Sequence, residues 1–245
     1  MSDLLLEKAA VAFRSDNGLN NAEPIRLKSL LQKLNVISVF APLSENFSGM
    51  ALKANDADRF MLVNSNQSLG KQHFTVCHEL YHLFEQKDFT SQVCLTGKFD
   101  KKANINEYNA DMFASYLLLP TDGLLENISN AEIGKKKISL QTILYIEQFY
   151  SCSRRALLYR LKSLKLINSA EYDSFTLNIQ RGALENGYGV ELYNNGNHKT
   201  VVGNYGIIAK QLFDSETVSE SHYYSLLADL GIDITKIDES QHGED

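Results

Sequence analysis

No apolar run in this chain approaches the roughly 20 residues that a membrane-spanning helix needs, so a helical membrane protein is excluded. Cysteine is scarce. Cys77, Cys94 and Cys152 make an odd count at wide spacing, and none belongs to a C-x-x-C pair. That excludes a cysteine-built zinc knuckle and points to reduced thiols. The start, Met1-Ser2-Asp3 leading into Leu4-Leu5-Leu6-Glu7-Lys8, lacks a basic stretch and a long apolar stretch. It does not resemble a secretory signal, and a cytoplasmic protein is expected. An excess of positive charge is missing too: the net charge is -6, which argues against a chain that coats nucleic acid. Neither an internal repeat nor a low-complexity segment is present.

What is present suffices for a globular fold. The 245 residues are 44% hydrophobic, enough for one large domain or two to three small ones with a sizeable core. The charge is unevenly spread. Residues 135–167 hold eight Lys/Arg and one acid, Glu147, which is +7 locally and leaves -13 for the remainder.

The most informative segment is His78-Glu79-Leu80-Tyr81-His82, an H-E-x-x-H pattern. Phe74, Cys77, Tyr81 and Phe84 around it repeat at helical spacing and predict a helix over 69–84, with Asn66 or Ser68 as its cap. Residues i and i+4 share one helix face. His78 and His82 therefore direct two imidazoles at one spot, suited to one zinc ion. Glu79 projects beside that spot, where a general base for activated water must sit. A catalytic zinc takes three protein ligands. Glu107, in Asn106-Glu107-Tyr108-Asn109-Ala110-Asp111, is the candidate third ligand. Asp111 lies one turn further on the same face, placed to accept the outer N–H of a ligand histidine. Ala110 and Ala114 keep that face small. The plain alternative is a solvated face carrying Glu107 and Asp111; the preceding H-E-x-x-H favours the site. His73 faces away from the pair, and His198, His222 and His242 read as surface residues.

The remaining pattern predicts helices over 2–15 and 25–35, a strand over 35–40, and a hairpin of strands over 48–53 and 59–64. Helices follow over 106–119, stopped by Pro120, and over 139–150 and 153–166. The last third has short segments punctuated by glycine, with strand-like patches and a final helix over 219–230 that ends at Gly231. The 48–53 strand offers an edge to which an extended peptide substrate could add, though simple sheet packing explains it as well. Tyr108, Tyr145, Arg154 and Arg155 are candidate donors to a developing oxyanion.

The run from His73 to Leu83 resembles the motif helix of the ImmA/IrrE metallopeptidases. The run from Glu107 to Pro120 resembles the helix that supplies their third ligand, Ser48-Gly49 resembles their hairpin, and Ser153 to Ile167 a segment that follows. The resemblance covers roughly residues 25–168. It implies an α+β fold: a minimal zincin-like metallopeptidase core of small sheet and active-site helices over 1–125 and a helical, helix-turn-helix-like extension over 126–168. Residues 169–245 lie beyond the resemblance, carry no motif that converts to chemistry and read as a C-terminal α/β appendage of unknown role. The resemblance also implies one Zn2+ held by His78, His82 and Glu107, with Glu79 catalytic. Tyr81, His73, Cys77 and Gln86 stand where the family usually has Gly, Arg, Ala and, in many members, His. None of these departures removes a ligand.

The resemblance further implies a narrow protein substrate, an Xre-type repressor or an antitoxin, whose cleavage relieves transcriptional repression. The alternative is a non-catalytic regulator that keeps the fold and acts by binding protein or DNA. The basic pair of helices over 139–167 would serve a DNA reader through Arg154 and Arg155, both expected to be exposed. Leu144, Leu157, Leu158, Leu161 and Leu164 favour helices packed on the core, and the overall acidity counts against direct DNA binding.

Overall fold

The computed structural model describes residues 1–55, 58–87, 89, 91–94 and 96–231, which leaves His242 outside them. Most helices start where a short polar side chain takes up a first-turn N–H that has no partner inside the helix. Ser2 does this for α1 (Asp3–Asp16). Then come α2 (Leu27–Lys33), β1 (Val36–Ala41), β2 (Gly49–Lys53), β3 (Arg59–Asn64) and α3 (Leu69–Phe84). All six fall within a residue or two of the expected segments. Next are β4 (Gln92–Cys94), α4 (Ile105–Leu118), α5 (Thr121–Glu126), α6 (Asn130–Lys135), α7 (Leu140–Tyr150) and α8 (Arg154–Ser163). The sequence pattern did not predict β4, α5 or α6.

The last third is mainly helical: α9 (Ser169–Phe175), α10 (Ile179–Glu185), a 3-10 turn (Glu191–Tyr193), β5 (Thr200–Val202), α11 (Tyr205–Asp214) and α12 (Glu220–Asp229). Its expected strand-like patches amount to one strand among the described residues. The expected final helix is α12, and Gly231 follows it at φ +74°. Among the described residues, no helix is long and apolar enough to cross a membrane.

The sheet order is β4-β2-β3-β1-β5. β2 and β3 form the expected antiparallel hairpin, with Gly49 opposite Val63. β1 runs parallel to β3, and β5 adds antiparallel to β1, with Phe40 opposite Thr200. The expectation that the 48–53 strand offers an edge needs correction. β4 already pairs with β2, with Gly49 opposite Cys94 and Ala51 opposite Gln92.

One buried cluster runs from Leu6 in α1 to Ile167 beyond α8, with α3 and α4 at its centre. α3 is enclosed on every side: Phe74 through Leu83 are all buried. Its first turn lacks a side-chain cap, because the Ser68 hydroxyl makes no such bond. Instead the Leu69 N–H donates to the Asn194 carbonyl at 2.8 Å. The Gln72 amide continues this contact, donating to the Gly196 carbonyl at 3.1 Å and accepting from Asn197 Nδ2 at 3.0 Å. The C-terminal third thus completes the start of the motif helix.

Arg154 is the second correction. Expected on an exposed face, it is buried, and both sides of its guanidinium fork meet Glu147. Nη2 donates to Glu147 Oε1 at 2.8 Å, and Nη1 donates to the Phe175 carbonyl at 3.0 Å. The Tyr193 hydroxyl donates to the same Glu147 oxygen. Arg160 is buried too, donating to the Leu119 carbonyl and to Glu7. Arg155 stays exposed, as do Lys135, Lys136 and Lys137. Two of the eight cations of this basic stretch therefore serve internal packing. Removing one partner of a buried pair strands the other charge, at a cost of about 3–5 kcal/mol. Arg154→Met should lose stability on that scale in urea unfolding. A loss under about 1 kcal/mol, the scale of an exposed ion pair, would show that Glu147 does not depend on it.

Candidate metal centre

α3 and α4 lie side by side, and Ala110 and Ala114 at their contact are fully buried. Small side chains there let the helix axes approach. α3 presents His78 and His82 one turn apart, with their Nε2 atoms 3.1 Å from each other. α4 begins at Asn104, whose side chain accepts from the N–H groups of Asn106 at 2.9 Å and Glu107 at 3.3 Å. That cap fixes Glu107 in the first turn, facing the histidines. Glu107 Oε2 lies 3.2 Å from His78 Nε2, and Oε1 lies 3.5 Å from His82 Nε2. The Glu107 side chain keeps 20% of its surface exposed, so this is the side on which the cluster meets solvent.

The outer ring nitrogens are held as well. Asp111 Oδ1 lies 2.9 Å from His78 Nδ1. The same carboxylate accepts from the Gly97 N–H at 2.7 Å and the Phe99 N–H at 2.9 Å. Gln86 Oε1 lies 2.5 Å from His82 Nδ1. Both rings are thus turned with Nε2 toward the shared point. His73 does face elsewhere, with Nδ1 2.7 Å from the Ser151 carbonyl, and His198 is an exposed residue 2.9 Å from Ser65 Oγ.

Sequence reasoning missed one member. Cys94 Sγ lies 3.7 Å from both His82 Nε2 and Glu107 Oε1, and 3.8 Å from Glu79 Oε2. Donor atoms of His78, His82, Cys94 and Glu107 all fall within 4.8 Å of one another, a group able to hold a metal ion. The chemistry fits a dication: two imidazoles, a carboxylate and a thiol. Glu107 Oε2 and Glu79 Oε1 are buried with no hydrogen-bond partner, and buried polar atoms of this kind call for a ligand, ion or water.

The electrostatics of the cluster reflect that crowding. Burial opposes charge on His78, but its polar contacts with Asp111, Cys94 and Glu107 outweigh it and raise its pKa well above the usual value. Burial and the neighbouring charged His78 push His82 down to about 4. Burial pushes the Cys94 thiol up to about 12; a coordinated metal ion deprotonates such a thiol outright. Burial likewise lifts the Glu79 carboxyl to about 8, against the opposing pull of His78.

Glu79 lies against bare backbone. A Cβ at Gly49 would sit 2.6 Å from Thr75 Cγ2 and 2.7 Å from Glu79 Oε1. The oxyanion candidates fare less well. The Tyr108 hydroxyl donates to Asp3 at 3.0 Å, Arg154 is spent on Glu147, and Tyr145 stacks on Phe149. Arg155 lines a separate cavity of about 430 Å3 with Lys71 and Phe99. Among the described residues, none of the four makes a hydrogen bond to the cluster.

The family model for the IrrE N-terminal-like domain, Peptidase_M78, matches residues 37–162, just over half of the chain. The match runs from β1 to α8 and contains His78, Glu79, His82, Cys94, Glu107 and Asp111. A search of the curated proteins finds no match.

Two outcomes follow from the geometry. Partners behind a ligand histidine typically contribute 10–100-fold to metal affinity. Asp111→Asn keeps one acceptor but presents an amide to a backbone N–H, and should weaken metal binding by roughly that factor in a chelator competition. An unchanged affinity would mean that His78 needs no orienting. Gly49→Ala should leave the metal content intact while lowering unfolding free energy by roughly 1–3 kcal/mol, the scale of an overpacked core. Full stability in that variant would show that Glu79 has room to spare.

Proposed function

Because the chain belongs to the Peptidase_M78 family of IrrE N-terminal-like domains, we propose that it is a zinc-dependent endopeptidase. Glu79 carries this reading. It is fully buried beside His78, His82 and Glu107, and its Oε1 has no partner. A buried ionisable group with an unpartnered oxygen is costly, and a protein that only bound metal would have no use for it.

In this reading His78, His82 and Glu107 hold one zinc ion, oriented by Asp111 and Gln86. Zinc there supplies Lewis acidity, polarising a peptide carbonyl and acidifying water. Glu79 moves the proton. Its carboxylate takes it from the attacking water and returns it to the leaving amine nitrogen. The low-dielectric surroundings strengthen these interactions.

The substrate in this proposal is a specific protein, a DNA-binding repressor of the Xre type or an antitoxin. The support is the family resemblance, and its cleavage relieves repression. A second reading, a non-catalytic regulator acting by binding, is favoured by one observation: Cys94 lies where an open ligand position would be needed.

Incubation with the protein encoded by the neighbouring gene separates the two readings. Cleavage with zinc, lost with a chelator and lost in Glu79→Gln at full zinc content, is the expected result. Release of the repressor from its DNA that persists in Glu79→Gln would instead establish regulation by binding.

A further inference from the structure

β4 brings two things to one place. Its last residue, Cys94, puts a sulfur against the histidine and carboxylate donors. Its backbone, meanwhile, runs antiparallel along β2 beside Glu79, and the Ser48 N–H donates to the Cys94 carbonyl at 3.0 Å. Each has a plain chemical meaning.

Several of the donor separations are close to those of a four-ligand set. A tetrahedron with metal–nitrogen bonds of about 2.05 Å and a metal–sulfur bond of about 2.3 Å has edges of about 3.3 Å between nitrogens and about 3.6 Å between sulfur and nitrogen. The observed separations are 3.1 Å between the histidine nitrogens, 3.5 Å from His82 to Glu107 Oε1, 3.2 Å from His78 to the other carboxylate oxygen, Oε2, and 3.7 Å from the sulfur to both His82 and Glu107 Oε1. Three protein ligands make a zinc site catalytic by leaving the fourth position to water; four make it closed. Cys94 stands in the fourth position.

The strand does the same to the peptide. An extended substrate recognised by strand addition pairs its backbone with an exposed sheet edge. Residues 49–51 of β2, the stretch next to Glu79, have that edge filled by residues 92–94.

Resting on the metallopeptidase reading above, we infer that residues 92–94 are a built-in plug: the Cys94 thiolate is the fourth metal ligand, β4 occupies the place of the substrate strand, and the folded chain is latent until this segment leaves. Opening breaks the metal–sulfur bond. A proton from solvent goes to the sulfur, a solvent oxygen takes the vacated position, and no electrons change hands. The same movement uncovers β2, so access for water and access for peptide are one event. The element to be displaced is three residues long.

Cobalt reports the ligand directly. Full-length protein is stripped with a chelator, loaded with one equivalent of Co2+ and followed in the near ultraviolet. A thiolate-to-cobalt charge-transfer band is expected in the wild type and should vanish in Cys94→Ser while cobalt stays bound. Bound cobalt with no band in the wild type, or a band that survives Cys94→Ser, overturns the plug and leaves the metal site standing. If no cobalt is taken up, the metal site falls and the plug with it. Latency is read with acetohydroxamate, a small metal-binding probe. A site open about one-tenth of the time costs a ligand about tenfold in apparent affinity. Cys94→Ala should therefore bind the probe at least about tenfold more tightly than the wild type, with Cys94→Ser used in the same titration should Cys94→Ala fail to hold cobalt. Equal affinities overturn the latency.

Discussion

The carboxylate of Asp111 is the joint on which the rest of the site depends. It meets His78 from α3, stands on α4, and takes the N–H groups of Gly97 and Phe99 from the loop that follows β4. Three separate pieces of chain are thereby fixed to one charged group in a dry interior, where such hydrogen bonds are strong and expensive to leave unmade. Turning His78 sets the point that His82 and Glu107 must share. Fixing the 96–99 loop sets the exit of β4, and so the position of the Cys94 sulfur. The metal centre is less a feature of one helix than of the way two helices and a loop are tied.

How much of this was legible in the sequence depended on the range of the interaction. The helix over 69–84 was readable to the residue, because apolar side chains recurring at helical spacing leave a local signal. Glu107 and Asp111 were readable as a pair because one helical turn separates them. β4 was not. Three residues cannot show alternation, and the strand exists only through pairing with β2 some forty positions earlier. Cys94 was lost with it, since it stands twelve positions beyond His82 and shares no local pattern with the motif helix. Arg154 is a different case. Its place just after the capping Ser153 suggested an exposed first turn, but Glu147 lies across the α7–α8 corner and captures it. The signal was available: Glu147 is the one acid in a stretch of eight cations, and a lone acid there marks a buried partner.

The C-terminal third shows how a fold supports a motif it does not contain. Residues 194–197 lie beyond the stretch that matches the family, yet they take up Leu69 and Gln72 at the start of α3. A helix whose cap residue makes no side-chain capping bond has its first turn finished by a segment more than a hundred residues away. Tyr193, next to that segment, reaches the Glu147–Arg154 pair as well. The geometry of two histidines in the middle of α3 is therefore supported from both ends, by Asp111 on one side and by this segment on the other.

β5 has a bearing on how the chain can be cut. It closes the outer side of β1 along residues 38–40. A fragment ending at the last residue of α8 would keep every member of the metal cluster and the whole matched family segment. It would also leave β1 with bare N–H and C=O groups along its flank, and an uncovered strand edge recruits strands from other chains. The boundary drawn by family resemblance and the boundary of a well-behaved soluble fragment lie in different places, separated by the length of chain needed to bring three residues back to the sheet.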